Sequence, residues 1–245
     1  MEVIGEILRS VRNLVCPRKC MFCGSILKLT AKGRVCFYCS GKLPFYLGIP
    51  RCKKCGRPVS GGNKYCNECV GKTYEISGLY APFLYKEPVK SAILRYKKEE
   101  YRAYSKTFAE FMAVVLEYEH KKMNFDCIVA VPPRIRRIRK TNYDQIVVLA
   151  NKLCGEIDVP FLEGVLKQKE KRKKQSSLTS AERRENVKGN FLVGKPELIA
   201  GKRVLLVDDV CTTGSTLREC AKMLKNAGAK SVHCIVIAVS EGENR

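Results

Sequence analysis

Apolar residues change their spacing several times along the chain, and each change marks an element. Over residues 1–15, Val3, Ile4, Ile7, Leu8, Val11, Leu14 and Val15 fall on one stripe, which predicts an N-terminal amphipathic helix; Glu2, Glu6, Arg9 and Arg12 interrupt any signal-peptide core. From Thr73 onward apolar runs alternate with helical patterns. Residues 75–85 read as an aromatic-rich strand pair and 89–96 as a short helix. Residues 104–118 place Phe108, Phe111, Met112, Val115 and Leu116 on one helix face. A fully apolar strand at 127–131 ends in Pro132 and Pro133; a helix at 146–153, a buried strand at 204–207, a helix at 215–227 stopped by Gly228 and a last strand at 232–239 follow. Continuous apolar strands separated by helices require a parallel sheet covered on both faces, so the fold class is α/β. The longest apolar runs, 111–116 and 234–239, fall far short of the roughly 18 residues that span a bilayer, so no membrane insertion is expected.

Composition adds a second unit. The chain has 245 residues, 45% of them hydrophobic, enough to bury a core without disulfide staples. Yet it carries 14 cysteines, nine of them before residue 70. Eight form four Cys-x2-Cys pairs: Cys20/Cys23, Cys36/Cys39, Cys52/Cys55 and Cys66/Cys69. Such a turn points two thiolates at one ion, and two turns complete the tetrahedral sulfur shell that zinc prefers, whereas a disulfide across two residues is strained. Two structural zinc ions are expected. The ligands pair either as sequence neighbours, Cys20, Cys23, Cys36 and Cys39 on one ion with Cys52, Cys55, Cys66 and Cys69 on the other, or as an interleaved cross-brace. Gly24 and Gly56 directly follow the first pair of each candidate ribbon, where knuckle amides turn toward sulfur. Cys16 is left over, either to substitute for Cys20 as a ligand or to pack, and packing is the expectation for a lone extra thiol. About seventy residues rich in Gly, Lys and Cys have little apolar core of their own, which gives the zinc a structural role. The expected organisation is a zinc-binding domain at 1–72, including the amphipathic helix, and an α/β domain at 73–245. With free thiols and no secretory leader, the expected location is cytoplasmic.

The segment 204–217, VLLVDDVCTTGSTL, carries the chemistry. A buried strand delivers Asp208 and Asp209 to its carboxyl end, where ligands bind in open α/β sheets. Thr212, Thr213, Gly214, Ser215 and Thr216 then open a helix. Their backbone amides and hydroxyls form a phosphate cradle, and Gly214 permits close approach of the phosphate. Two adjacent carboxylates do not attract phosphate; they suit neutral hydroxyls, a magnesium ion, or both. A sugar phosphate satisfies the whole pattern. No Gly-x4-Gly-Lys-Ser/Thr occurs, which excludes Walker-type nucleoside triphosphatase chemistry.

These fourteen residues resemble the phosphoribosyl pyrophosphate signature of the type I phosphoribosyltransferases. The resemblance implies that Asp208 and Asp209 hold the ribose hydroxyls, that residues 212–216 grip the 5-phosphate, and that Mg2+ chelates the pyrophosphate. Two further stretches widen it. Pro132 and Pro133 are followed by Arg134, Arg136, Arg137, Arg139 and Lys140 and then by Asn142, Tyr143, Asp144 and Gln145. Later come Gln175, Leu178, Arg183, Asn186, Val187, Gly189 and Phe191. With the cysteine-rich N-terminus, they resemble the ComF family of competence-associated proteins over nearly the whole chain. That family reads Arg-Gly-Phe-Asn-Gln where this chain has Thr141, Asn142, Tyr143, Asp144 and Gln145, so only Gln145 is identical.

Charge bears on the choice of ligand. Lysine and arginine number 46 against 24 acids, a net charge of +22. Arg134, Arg137, Arg139 and Lys140 in one run, and Lys171, Arg172, Lys173 and Lys174 in another, are candidates for clamping pyrophosphate or a DNA backbone, with Tyr143, Tyr96 or Tyr101 for stacking. Residues 167–189 read as a lysine-rich lid. Two readings follow. In one, the chain is a ComF-like protein that binds phosphoribosyl pyrophosphate with magnesium and handles imported single-stranded DNA in natural competence, with other competence proteins as partners. In the other, it is a metabolic or salvage phosphoribosyltransferase of unknown acceptor with no DNA role.

Overall fold

A computed structural model describes residues 17–28, 31, 33–59, 61–67, 69–72, 75–98, 101–119, 124–133, 143–169 and 189–241. The N-terminal stripe, Cys16 and both stretches that contain the basic candidates, 134–142 and 170–188, lie outside these residues.

Seven strands and five α-helices are formed among the described residues. In chain order they are α1 (Phe37–Ser40), β1 (Ile76–Tyr80), β2 (Phe83–Leu84), α2 (Val89–Tyr96), α3 (Tyr104–Glu119), β3 (Cys127–Ala130), α4 (Gln145–Ile157), β4 (Leu166–Gln168), β5 (Phe191–Val193), β6 (Arg203–Cys211), α5 (Ser215–Asn226) and β7 (Ser231–Val239). The main sheet is parallel with order β1-β7-β6-β3, and β2 also pairs with β7. The segment at 75–85 thus makes two strands that do not pair with each other. Tyr80 lies opposite Ile235 and Phe83 opposite Ala238, so the chain runs along β7 in two pieces, interrupted around Pro82.

The period-two alternation of the central strands explains the two layers. Leu205, Val207, Ile235 and Ile237 face Ile93, Phe108, Met112 and Leu149 of α2, α3 and α4. Val204, Leu206, Cys234 and Val236 face Leu217, Cys220, Ala221 and Leu224 of α5. Asp144 caps α4, its carboxylate accepting from the amides of Ile146 at 2.9 Å and Val147 at 3.2 Å. At the amino ends of β3 and β6, the Arg203 guanidinium donates to both carboxylate oxygens of Asp126, 2.8 Å to Oδ1 and 3.1 Å to Oδ2. Among the described residues no helix is long and apolar enough to cross a membrane.

Lys167 and Gln168, expected to open a polar lid, instead lie in β4, antiparallel to β5. The aliphatic stem of Lys167 packs over Gly194, so the charge pattern hid a strand whose polar side chains lie along a small two-stranded sheet.

The cysteine-rich segment does not stand apart from this core. Met21, Phe22, Leu27 and Leu43 belong to the same apolar cluster as Tyr80, Phe83, Ile93 and Phe108. The Arg95 guanidinium donates to the carbonyls of Met21 (2.7 Å) and Phe22 (2.9 Å). Main-chain bonds from Tyr46 to Pro82 and from Leu84 to Pro44, each 2.8 Å, stitch the linker between the cysteine quartets to β2.

Candidate functional site

The apolar half of β6 drives it through the middle of the sheet, and its polar half emerges as Asp208 and Asp209. The strand continues to Cys211, past the expected end at 207, because Val210 and Cys211 still pair with Ala238 and Val239 of β7. The amide of Asp209 donates to Asp208 Oδ1 at 2.8 Å. Lys97, which follows α2, places Nζ 2.9 Å from Asp209 Oδ2, and Gln145 Nε2 donates to the same oxygen at 3.1 Å. Gln145 is buried; its Oε1 has no hydrogen-bond partner among the described residues, and its carbonyl accepts from Tyr96 Oη at 2.5 Å. Burial and the neighbouring Asp209 charge push the Asp208 carboxyl above the usual carboxylate range, against the opposing pull of the Asp209 amide and Lys97.

Beyond Cys211 the chain turns through Thr212 and Thr213 into Gly214, which has φ +70° and caps α5. Backbone conformation calls for glycine here. The left-handed backbone disfavours a side chain, and a Cβ would lie 3.0 Å from Arg218 Nη1 and 3.5 Å from Cys211 Sγ. Thr213 Oγ1 and Ser215 Oγ lie 2.9 Å apart, and the Ser215 amide turns toward Thr213 Oγ1 at 3.4 Å. Arg218 Nη2 reaches Ser215 Oγ at 3.4 Å, which sets a guanidinium over the turn. Small hydroxyls, a helix N-terminus and an arginine are so combined on the turn that follows the two carboxylates, an arrangement whose chemistry suits a phosphate-sized anion.

The cysteines form two clusters. In each of the sets Cys20, Cys23, Cys36, Cys39 and Cys52, Cys55, Cys66, Cys69, the four sulfur atoms lie within 4.8 Å of one another. The grouping follows sequence neighbours. An interleaved brace would have brought the first and third pairs together. Gly24 (φ +80°) and Gly56 (φ +68°) turn the knuckles, their amides donating to the Cys20 and Cys52 carbonyls, both at 2.9 Å. Four convergent thiolates with amides directed at sulfur, such as Cys36 N to Cys20 Sγ at 3.4 Å, fit a zinc ion in each cluster.

The second cluster also touches the end of β6. Cys211 Sγ directs a weak bond to the Cys55 carbonyl at 3.9 Å, and Tyr46 Oη donates to the Gly56 carbonyl at 2.6 Å. The Arg57 charge next in the chain acts on Cys211.

Asp208 and Asp209 on β6 and Thr212, Thr213, Gly214, Ser215 and Thr216 on the turn and helix start that follow therefore belong to one strand, turn and helix unit. Arg134, Arg137, Arg139, Lys140, Lys171, Arg172, Lys173 and Lys174 lie outside the described residues. The described flanks of the second basic run are tied down. The Lys169 amide donates to the Asn190 carbonyl at 2.7 Å, and the Gly189 amide to Glu219 of α5 at 2.6 Å. The stacking candidates need correction: Tyr96 and Tyr143 are buried, and Tyr101 is half-buried against Tyr104. The Tyr96 ring lies 5.5 Å from that of Phe108 on α3, a burial that periodicity could have indicated. Lys97, Gln145 and Arg218 were missed as site residues. Arg218 was the readable one, since a residue three after Ser215 on α5 lies over the first turn.

Comparison with known proteins gives a consistent picture. A phosphoribosyl transferase domain family matches residues 146–244, and a double zinc ribbon domain family matches residues 11–70. The chain is 28% identical over 219 residues to competence protein F of Haemophilus influenzae, an alignment covering 87% of this chain and 93% of that protein. It is 25% identical to the DNA utilization protein YhgH of Escherichia coli over 222 residues, 89% and 96% of the two chains. It is 29% identical to competence protein ComFC of Streptococcus pneumoniae over 168 residues, 69% of each. Among solved structures, an allosteric regulatory enzyme of purine biosynthesis superposes with a TM-score of 0.41 at 21% identity; the match covers 59% of this chain and 30% of that enzyme's length. The fold is that of a type I phosphoribosyltransferase, preceded by a double zinc ribbon.

Proposed function

This chain is a homologue of the competence protein F, ComFC and YhgH proteins, and from that premise we propose that it binds phosphoribosyl pyrophosphate with magnesium and handles imported single-stranded DNA in the cytoplasm during natural competence. The observation that carries the first half is the continuity of β6, turn and α5. It sets two carboxylates beside an anion cradle whose glycine holds a left-handed backbone. In this reading Asp208 and Asp209 accept from the ribose 2- and 3-hydroxyls, and Thr212, Thr213, Gly214, Ser215 and Thr216 hold the 5-phosphate. Lys97 and Gln145 fix the Asp209 carboxylate, and the buried Gln145 Oε1 is an acceptor that a ligand hydroxyl can satisfy. Magnesium, when bound, neutralises the pyrophosphate. Any ribosyl transfer would then need orientation and charge stabilisation and no nucleophilic side chain. The DNA half draws support from the names of the relatives and from the net charge of +22, more than one small anion requires.

Calorimetry of the zinc-loaded chain with phosphoribosyl pyrophosphate and Mg2+, and with the double variant Asp208→Asn/Asp209→Asn, tests the pocket. Binding by the parent and its loss in a variant with unchanged circular dichroism are expected; equal binding by both would refute the assignment. The same protein titrated with an oligonucleotide at two salt concentrations separates this reading from a salvage phosphoribosyltransferase, which would bind the small ligand and ignore the strand.

A further inference from the structure

Phe37 is 97% exposed and Tyr38 66% exposed, on the turn between two cysteines of the first cluster. That turn is α1, held by the Cys39 amide on Cys36 Sγ (3.4 Å) and by Ser40 Oγ on the Phe37 carbonyl (2.7 Å). The two rings are thus displayed on a fixed backbone, while the ribbon's packing residues, Met21, Phe22 and Leu27, point into the core. Exposing a phenylalanine in water has a cost that a purely structural knuckle has no reason to bear.

Along the ribbon segment the charge is almost all of one sign. From residue 7 to residue 67 the chain contains thirteen lysines and arginines and no aspartate or glutamate. Extended to Cys69 the segment takes in one acid, Glu68, and eight thiolates with two zinc ions would still leave a surplus of eight positive charges. Lysines also sit on the exposed rings. Lys42 Nζ lies 4.1 Å from the Tyr38 ring centre and 2.6 Å from its hydroxyl; in the second ribbon Lys54 Nζ lies 4.5 Å from the ring of Tyr65, which is 37% exposed. Arg51 is engaged elsewhere, in an ion pair with Glu119.

We propose that the Phe37–Tyr38 face of the first ribbon is a base-stacking platform for a single-stranded nucleic acid, with Lys42 and the lysine- and arginine-rich ribbons following its phosphates. Exposed rings bind the faces of unpaired bases, ammonium groups beside them meet the adjacent phosphates, and a duplex, whose base faces are covered, offers the rings nothing. The proposal rests on the DNA-handling half of the reading above and moves the stacking contact from Tyr96 and Tyr143, which are buried, to the ribbon.

The chain contains no tryptophan, so Phe37→Trp introduces a single reporter at the platform. In the zinc-loaded full chain its emission is expected to be quenched by oligothymidylate and left unchanged by a duplex of equal length. Phe37→Ala/Tyr38→Ala should bind oligothymidylate about 10- to 100-fold more weakly with an unaltered salt slope, because stacking and no cation has been removed. Lys42→Gln should instead lower the slope by roughly 0.7. Zinc content and phosphoribosyl pyrophosphate binding should match the parent in every variant, which excludes misfolding. If the parent binds oligothymidylate and the double variant binds it equally, with the tryptophan unquenched, the platform is refuted and the DNA reading stands. If the parent binds no oligonucleotide, both fall. If the double variant differs from the parent only in sedimentation, the face is a contact between copies of this chain and the platform is likewise refuted.

Discussion

Asp208 holds its proton more tightly in the folded chain than in the unfolded one, because burial and the Asp209 charge both penalise its ionised form. The folded state therefore binds more protons than the unfolded state above the ordinary value of 3.8, and this residue's contribution makes stability fall as the pH rises through that interval. Asp208→Asn cannot ionise. It is expected to raise the melting temperature at pH 8 without magnesium and to flatten the slope between pH 4 and pH 8, while phosphoribosyl pyrophosphate binding is lost. A variant that melts below the parent at pH 8 would show that the carboxylate is solvated as it stands. Arg218 makes a complementary prediction. Its guanidinium lies over the Gly214 turn and contacts Ser215 Oγ, so it should meet any anion in the cradle. A hydrogen bond to a charged group contributes about 1.5–3 kcal/mol, so Arg218→Gln should weaken ribose 5-phosphate binding about 10- to 100-fold in a calorimetric titration. An unchanged affinity would leave Arg218 as no more than a brace for the first turn of α5.

At the scale of elements, the knuckle of the second ribbon and the anion turn are built against each other. Gly56 is pinned by its positive φ and by Leu79, whose Cδ2 would lie 2.4 Å from a Cβ at this position. Gly56→Ala should cost about 2–4 kcal/mol in urea unfolding, from backbone strain and overpacking together, and a cost near zero would mean that the knuckle can step away from β1. None of this contact was legible in the sequence, because Cys55 and Cys211 are brought together only by the sheet order. What was legible had a local physical cause. The apolar runs of β3, β6 and β7 announced a buried parallel sheet, Gly228 marked the end of α5, and the Asp208 to Thr216 stretch announced a strand, a turn and a helix start because the three are consecutive. The pairing of the cysteines needed a fold to decide it. β4 and β5 escaped notice because three-residue strands show too little alternation, and Lys167 disguised the first as a charged loop. Tyr96 and Tyr143 were misread because an aromatic beside basic residues looks like a stacking surface whether it points outward or, as here, is buried.

Over the whole molecule, two sequence families meet in one apolar core. Met21 and Phe22 of the first ribbon share a cluster with Phe83, Ile93 and Met112, Phe45 lies 5.4 Å from the Phe83 ring and 6.1 Å from that of Phe111, and Arg95 ties two ribbon carbonyls to α2. A ribbon with so little core of its own is ordered by its metal, and structural zinc contributes apparent free energies of about 10–16 kcal/mol in isolated finger peptides, as large as the net stability of an ordinary domain. Removing zinc here should therefore do more than release a small appendage, since it uncovers the α2 and α3 face of the sheet. The expected result is one cooperative calorimetric transition for the zinc-loaded chain and a lower midpoint after a strong chelator. A fragment of residues 73–245 should expose Phe83 and Phe111 and aggregate. Two resolved transitions, with chelation moving only one of them, would show instead that the ribbons and the α/β unit fold independently and that their shared cluster contributes little.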